Sequence, residues 1–165
     1  MSSFTKYRVE VNGPKSDLAR FAALIEAAAY GEAQDGDIPI PFASVFPDWH
    51  EAEHYRAFWI TPINTENRPL FRISGDQLSF EGESRNTPPV RFLLRVSEMF
   101  PELAFHITSV TEHTMVETWH VTHGGAKLIE ACLDPIREPC IWYVKDGVAL
   151  GPLPDWIEQH YPLYE

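Results

Sequence analysis

The chain has 165 residues, of which 44% are hydrophobic and 22% are charged. These values are typical of one globular domain with a buried core, and they argue against disordered, collagen-like and disulfide-scaffold proteins. No apolar run approaches the roughly 20 residues of a membrane-spanning helix, and the opening Met1-Ser2-Ser3 lacks the basic and apolar start of a secretory signal. We therefore expect a cytoplasmic protein without membrane contact.

The 24 acidic residues outnumber the 13 Lys and Arg residues, which gives a net charge of −11 at pH 7. An acidic field repels phosphate backbones, and the basic residues form no cluster, so we expect no direct binding to nucleic acid. Solubility is the simplest explanation of the charge. A protein partner with a basic surface is the functional alternative.

Polar and apolar residues alternate over residues 4–12, which predicts a half-buried strand. Gly13-Pro14 ends this strand, and Ser16 is expected to cap a helix with apolar residues at helical spacing over 18–29. Residues 32–75 contain several prolines among short aromatic pieces, so we interpret this segment as a structured insertion. Its tryptophans, Trp49 and Trp59, are expected to cover the sheet, with an interface role as the alternative.

The second half of the chain predicts a strand over 78–82, a helix and then three strands. Thr87 is expected to cap the helix, with Pro88 at its first position and Pro101 after its end. One apolar face of this helix is formed by Leu93, Val96 and Phe100. The three strands are expected at 103–110, 115–122 and 126–131.

This order of elements predicts an α+β fold of the ferredoxin-like type, in which two helices pack on one face of an antiparallel sheet. We expect a single domain over 1–165. Asp146-Gly147 predicts the turn of a C-terminal hairpin. The parts of the domain are a core of residues 4–30 and 76–131, the insertion at 32–75, and a C-terminal extension at 132–165.

The register between the strands at 103–110 and 115–122 follows from their apolar residues. Residues that oppose each other in an antiparallel pair point to the same face. A loop centred on His113 then pairs Phe105 with Val121 and Ile107 with Trp119 beneath the helices. The opposite face pairs His106 with His120 and Thr108 with Thr118. We expect that face to be open to solvent or to a partner.

Several of these segments resemble the YubB-like family of ferredoxin-like domains. The resemblance rests on Leu78-Ser-Phe-Glu81, on Thr87-Pro88-Pro89 and on Phe100-Pro101-Glu102-Leu103-Ala104-Phe105, and it covers residues 7–30 and 78–122. Members of that family are typically encoded on plasmids, phages and other mobile elements, and their function is largely unassigned. The resemblance therefore implies a mobile-element origin and supplies no catalytic residue.

The run His50-Glu51-Ala52-Glu53-His54 matches the H-E-x-x-H pattern of zinc hydrolases. On a helix, which Pro47-Asp48 would begin, His50 and His54 would share one face and could bind Zn²⁺, with Glu51 as the general base for a bound water. No third ligand is evident in the sequence. The simpler interpretation is an exposed polar helix.

The cross-strand pair of His106 and His120 is the second candidate site. Imidazoles at this distance could share a metal ion, or could place two like charges side by side when protonated near pH 6. With Thr108 and Thr118 they would form a proton-sensitive or metal-sensitive binding face. The simpler interpretation is a pair of exposed polar strand residues.

Taken together, the patterns favour an acidic accessory protein that acts as a non-enzymatic protein-binding module without a cofactor. A small zinc-dependent hydrolase using His50, Glu51 and His54 is the alternative. A third hypothesis is a self-associating domain, for instance a homodimer formed through an edge of the sheet.

Overall fold

The computed structural model describes residues 4–30, 36–50, 55–64, 69–111, 115–123, 125–133, 143–145 and 148–151. These ranges hold ten strands and three helices, so the fold is α+β. The strands are β1 (Phe4–Asn12), β2 (Ile38–Pro41), β3 (Ala57–Ile60), β4 (Arg72–Ser74), β5 (Gln77–Arg85), β6 (Ala104–Thr111), β7 (Met115–Thr122), β8 (Gly125–Leu133), β9 (Tyr143–Lys145) and β10 (Val148–Gly151). The helices are α1 (Lys15–Ala28), α2 (Phe42–Val45) and α3 (Val90–Met99). No helix within the described ranges has the length and apolarity needed to span a bilayer.

All ten strands of the described chain belong to one antiparallel sheet, in the order β10-β9-β8-β7-β6-β1-β5-β3-β2, and β4 also pairs with β5. The first strand of the chain, β1, is central because it pairs with both β5 and β6. The predicted insertion at 32–75 supplies β2, β3 and β4, so this segment extends the sheet. The predicted C-terminal hairpin is confirmed by the pairing of β9 with β10.

The last strand on one side of the sheet is β2, which has the sequence Ile-Pro-Ile-Pro. It pairs only with β3 among the described strands. The main-chain oxygen of Pro39 accepts a hydrogen bond from the main-chain N–H of Tyr30 at 3.1 Å. Tyr30 follows α1, so this bond ties the end of α1 to β2.

Strand β1 has the alternating burial that its sequence predicts. Tyr7, Val9 and Val11 are buried, whereas Lys6 and Arg8 are exposed. The face of the sheet that carries these three buried side chains is called the inner face below. Apolar side chains of the neighbouring strands, such as Phe80 and Phe105, extend the inner face.

Helix α1 begins earlier, and helix α3 begins later, than the capping signals in the sequence predicted. The residue at the N-cap of α1 is Pro14, and Ser16 lies inside the helix. The residue at the N-cap of α3 is Pro89, so Pro88 precedes the helix. The Thr87 hydroxyl is 3.4 Å from the Pro88 carbonyl and does not cap the helix. In both cases a proline occupies the N-cap, and no side-chain hydrogen bond caps the helix.

Phenylalanine rings join the helices to the sheet. The Phe21 ring of α1 lies 5.5 Å from the ring of Phe105 in β6 and 6.2 Å from that of Phe80 in β5. The Phe92 ring of α3 lies 5.1 Å from that of Phe58 in β3, and it stacks on Phe42 of α2 at 4.8 Å. Aromatic pairs at these distances add stabilisation to the burial of their apolar area.

The pairing of β6 with β7 confirms the predicted register. Phe105 opposes Val121, Ile107 opposes Trp119, His106 opposes His120 and Thr108 opposes Thr118. Between β7 and β8 the register shifts after Thr118, so that Ile129 is an extra residue in β8. A bulge of this kind increases the local twist of the sheet.

Candidate functional site

The predicted binding residues lie on the face of the sheet opposite the inner face. We call this surface the histidine face and define it by His106 and Thr108 of β6 and by Thr118 and His120 of β7. Directly opposed residues point to the same side of a sheet, so these four side chains lie together. The structure therefore brings together all four residues that the sequence assigned to a binding face.

The exposure of this face is uneven, which corrects the expectation of an open surface. His106, Thr108 and His120 are partly exposed. Thr118, however, is only 9% exposed and Val116 is only 4% exposed. Thr118 lies between Thr108 on one neighbouring strand and Glu130 on the other. The accessible part is centred on the two imidazoles.

The charges around the histidine face are mixed in sign, although the chain as a whole has a net charge of −11. Lys6 opposes Glu83 and Arg8 opposes Glu81, so acidic and basic side chains alternate across β1 and β5. The register places charged residues of both signs on this side of the described sheet: Lys6, Arg8, Arg72, Arg85, Lys127, Glu10, Glu81, Glu83 and Glu130. The acidic excess of the protein therefore lies elsewhere.

The two imidazoles form the middle of a four-residue row across the sheet. Glu10 lies beside His106, and Lys127 lies beside His120. No group of three or more His, Cys, Asp or Glu side chains suited to a metal ion occurs in the part of the chain that the structure describes. An imidazole can both donate and accept hydrogen bonds, so the row is suited to polar contacts with a ligand or a partner.

The structure places only the first residue of the H-E-x-x-H run, because Glu51 and His54 lie outside the described residues. His50 is exposed and follows a turn at Pro47-Asp48, so the helix expected to begin there is wrong at this position. The Asp48 carboxylate instead forms an ion pair with Arg95 at 2.5 Å. The hydrogen bond from Arg95 lowers the pKa of Asp48. Zinc binding by His50 and His54 stays a prediction.

A cavity of about 170 Å³ lies where α3 begins, and we call it the α3 cavity. Its walls include the rings of Phe42, Trp49, Tyr55 and Phe92. No sequence motif indicates this cavity, because its lining comes from residues 42–57 and 84–92, which are far apart in the chain. The concentration of aromatic residues in the insertion was the only available signal.

A buried acidic residue on the inner face was also not among the residues that the sequence predicted. Glu117 of β7 is 6% exposed and lies opposite Ser109 of β6, whose hydroxyl has no hydrogen-bond partner within the described residues. The indole Nε1 of Trp119 donates a hydrogen bond to Glu117 Oε1 at 3.2 Å. Burial raises the pKa of Glu117 despite this bond, because desolvation disfavours the charged form. The alternation of β7 places position 117 on the inner face, which was the available signal.

Comparisons with known proteins give no family to which the chain can be assigned. No family model, no curated protein and no solved structure matches it. Function is therefore argued from the geometry of the surfaces described above.

Proposed function

We propose that this protein is a non-enzymatic binding module of mobile-element origin that holds a protein partner on its histidine face. The observation that carries the proposal is the directly opposed pair of His106 and His120, which stays partly exposed in the middle of a wide sheet. Polar residues at this position contribute little to a core. They are suited to contacts with another molecule.

The proposed architecture is a ferredoxin-like sandwich, as the resemblance to the YubB-like family implies. Its support is the strand order β6-β1-β5-β3, in which α1 follows β1 and α3 connects β5 to β6. Phe21 of α1 packs directly with Phe80 on the inner face. Phe92 of α3 packs with Phe58, which in turn packs with Phe80. In this arrangement α1 and α3 cover the inner face and leave the histidine face to the strands, as far as the described residues go.

The mixture of charges on the histidine face indicates the chemistry of the partner. A surface on which acidic and basic residues alternate does not attract a patch of one strong charge. Its residues pair with a mixed polar surface, in which each charge meets its opposite. The net charge of −11 still favours the approach of a basic partner at long range. We therefore propose a partner that is basic overall and has a polar contact surface of mixed charge.

The test is capture of a partner by the immobilised full chain from a lysate of the cells that produce it, at moderate salt. The double variant His106→Ala/His120→Ala removes both imidazoles from the histidine face, and His50→Ala removes an exposed imidazole elsewhere. We expect a partner that the wild type and His50→Ala retain and that the double variant loses. Equal retention by all three proteins, or no specific partner, would contradict the proposal.

A further inference from the structure

We propose that the α3 cavity binds a small aromatic carboxylate, whose ring packs against the aromatic walls and whose carboxylate accepts a hydrogen bond from Trp49 beside Arg85 and Arg91. This inference is independent of the histidine face. None of the four residues that define the histidine face lines the cavity, so either proposal can fail without the other.

The size of the cavity limits the ligand. Its volume is about 170 Å³, and a cavity of roughly 150 Å³ is known to hold one benzene molecule. Sites for drug-sized molecules and cofactors occupy about 300–1,000 Å³. The α3 cavity therefore suits a single ring with one small substituent and is too small for a nucleotide.

The walls of the cavity are aromatic and held in place by one another. Trp49 meets Phe42 edge-to-face at 4.7 Å between ring centroids, and Phe42 stacks on Phe92 at 4.8 Å. Aromatic rings prefer these offset and edge-to-face arrangements with other rings. A planar aromatic ligand would therefore find suitable partners on more than one wall.

One hydrogen-bond donor among the residues that line the cavity lacks an acceptor in the described part of the chain. Trp49 Nε1 is buried and has no hydrogen-bond partner in the described ranges. An indole N–H can only donate, and a buried donor without an acceptor is unfavourable. The Ser84 hydroxyl already donates to the Thr87 carbonyl at 2.7 Å. A ligand that supplies an acceptor oxygen would satisfy the indole.

The electrostatics of the cavity favour a negative ligand. Arg85 and Arg91 are among its twelve lining residues, and none of the twelve is acidic. The helix α3, ten residues long, begins at the cavity, and its first turn contains no acidic residue. The start of a helix carries a partial positive charge. In a chain with a net charge of −11, this local positive environment distinguishes the α3 cavity.

The probe for the test is sodium benzoate, added to the ¹⁵N-labelled full chain while the indole N–H signals are followed by NMR. The chain has five tryptophans, and the variant Trp49→Phe identifies the signal of Trp49 by its loss. We expect a saturable shift of the Trp49 indole signal with benzoate. Benzyl alcohol, which has the ring without the negative charge, should bind about tenfold more weakly or worse.

Two arginine variants test the role of local charge. Arg91→Gln should weaken benzoate binding about tenfold, whereas Arg72→Gln, which removes an exposed arginine of β4 outside the cavity, should leave it unchanged. Trp49→Phe keeps the ring and removes the donor, and it should also weaken binding. The four remaining indole signals report whether Trp49→Phe is folded. If this variant does not fold, the comparison of benzoate with benzyl alcohol on the wild type tests the proposal instead.

Three results would overturn the proposal. The first is the absence of a saturable shift of the Trp49 signal with benzoate. The second is equal affinity for benzyl alcohol, which would show an apolar cavity without an anion site. The third is equal weakening by Arg72→Gln and Arg91→Gln, which would show an effect of net charge alone.

Discussion

The hydroxyl of Tyr7 donates a hydrogen bond of 2.6 Å to the main-chain carbonyl of Trp59. The two residues lie on β1 and β3, which are not neighbours, because β5 lies between them. At the crossing point β5 has Gly82, which opposes both Tyr7 and Ile60. A Cβ atom on residue 82 would lie 1.7 Å from the Trp59 oxygen and 2.6 Å from the Tyr7 hydroxyl. The absence of a side chain at position 82 therefore permits this bond.

The substitution Gly82→Ala should strongly destabilise the fold. The methyl group would overlap a main-chain oxygen, which cannot move without displacing β3. We expect a loss of about 3 kcal/mol or more in the free energy of unfolding, measured by urea denaturation. Gly75→Ala is the matched control, because position 75 has a φ of 61° but open space around the added methyl. It should lose only about 1–2 kcal/mol, and equal losses would contradict the steric explanation.

The substitution Tyr7→Phe should reduce the free energy of unfolding by about 1–2 kcal/mol at neutral pH, since it leaves the Trp59 carbonyl without this donor. It should also change the response to alkali. Burial raises the pKa of Tyr7 well above its ordinary value, and the nearby charges of Asp37 and Glu83 raise it further. The folded protein therefore keeps this proton when the unfolded chain releases it near pH 10.

The stabilising effect of the retained proton is complete below about pH 10 and is lost as the pH rises further. Urea midpoints from pH 8 to 11 should consequently fall more steeply for the wild type than for Tyr7→Phe. Tyr30→Phe changes an exposed tyrosine and should retain the wild-type slope. Parallel slopes for the wild type and Tyr7→Phe would show that the buried hydroxyl does not contribute.

The substitution Glu117→Gln should stabilise the protein at pH 7. Desolvation raises the pKa of Glu117, so the folded state holds this proton more tightly than the unfolded chain does. The wild type therefore loses stability as the pH rises from the unfolded pKa, about 4.3, through the folded pKa. Glutamine has no charge to desolvate, and its side-chain oxygen can still accept the bond from Trp119.

Denaturation of both proteins at pH 4 and pH 7 measures this effect. The advantage of Glu117→Gln should be present at pH 7 and should shrink towards pH 4, where the carboxyl is mostly protonated in both states. A variant that is less stable than the wild type at pH 7 would indicate that the ionised carboxylate makes favourable contacts that exceed its desolvation.

The substitution Phe21→Ala should reduce the free energy of unfolding by about 3–5 kcal/mol. Phe21 of α1 is fully buried. Its ring packs with four other phenylalanines, namely Phe71, Phe80, Phe100 and Phe105. Ile73→Ala is the control, because Ile73 is 63% exposed on β4, and it should change stability by less than about 0.5 kcal/mol. A small loss for Phe21→Ala would mean that the surrounding rings close the space it leaves.

The sheet register was predictable where local pattern alone decides it. The alternation of Phe105 and Ile107 with polar residues, and the same alternation around Trp119, decides which side chains face inward. The expected loop centre at His113 then selects the register that the structure has. The helix face of Leu93 and Val96 was predictable for the same reason, because its spacing matches the period of a helix.

The strands of the insertion were not predictable from such patterns. Strand β3 has only four residues, and β2 contains two prolines, which are unfavourable inside a sheet. Strand β3 is placed by its pairing with β5, about 20 residues further along the chain, and β2 by its pairing with β3. Local sequence does not specify such contacts. The α3 cavity was unpredictable for the same reason, since Trp49 and Arg91 meet only after the chain has folded.

The prolines of β2 have a consequence for association between molecules. In an antiparallel strand the N–H and C=O of one residue point the same way, and the Pro39 oxygen is bonded to Tyr30 rather than to β3. The nitrogens of Pro39 and Pro41 therefore face outward, where neither carries a hydrogen. A strand arriving from a second copy would find no donor at either position and one acceptor already occupied. The edge strand β2 therefore disfavours edge-to-edge association of molecules into fibrils.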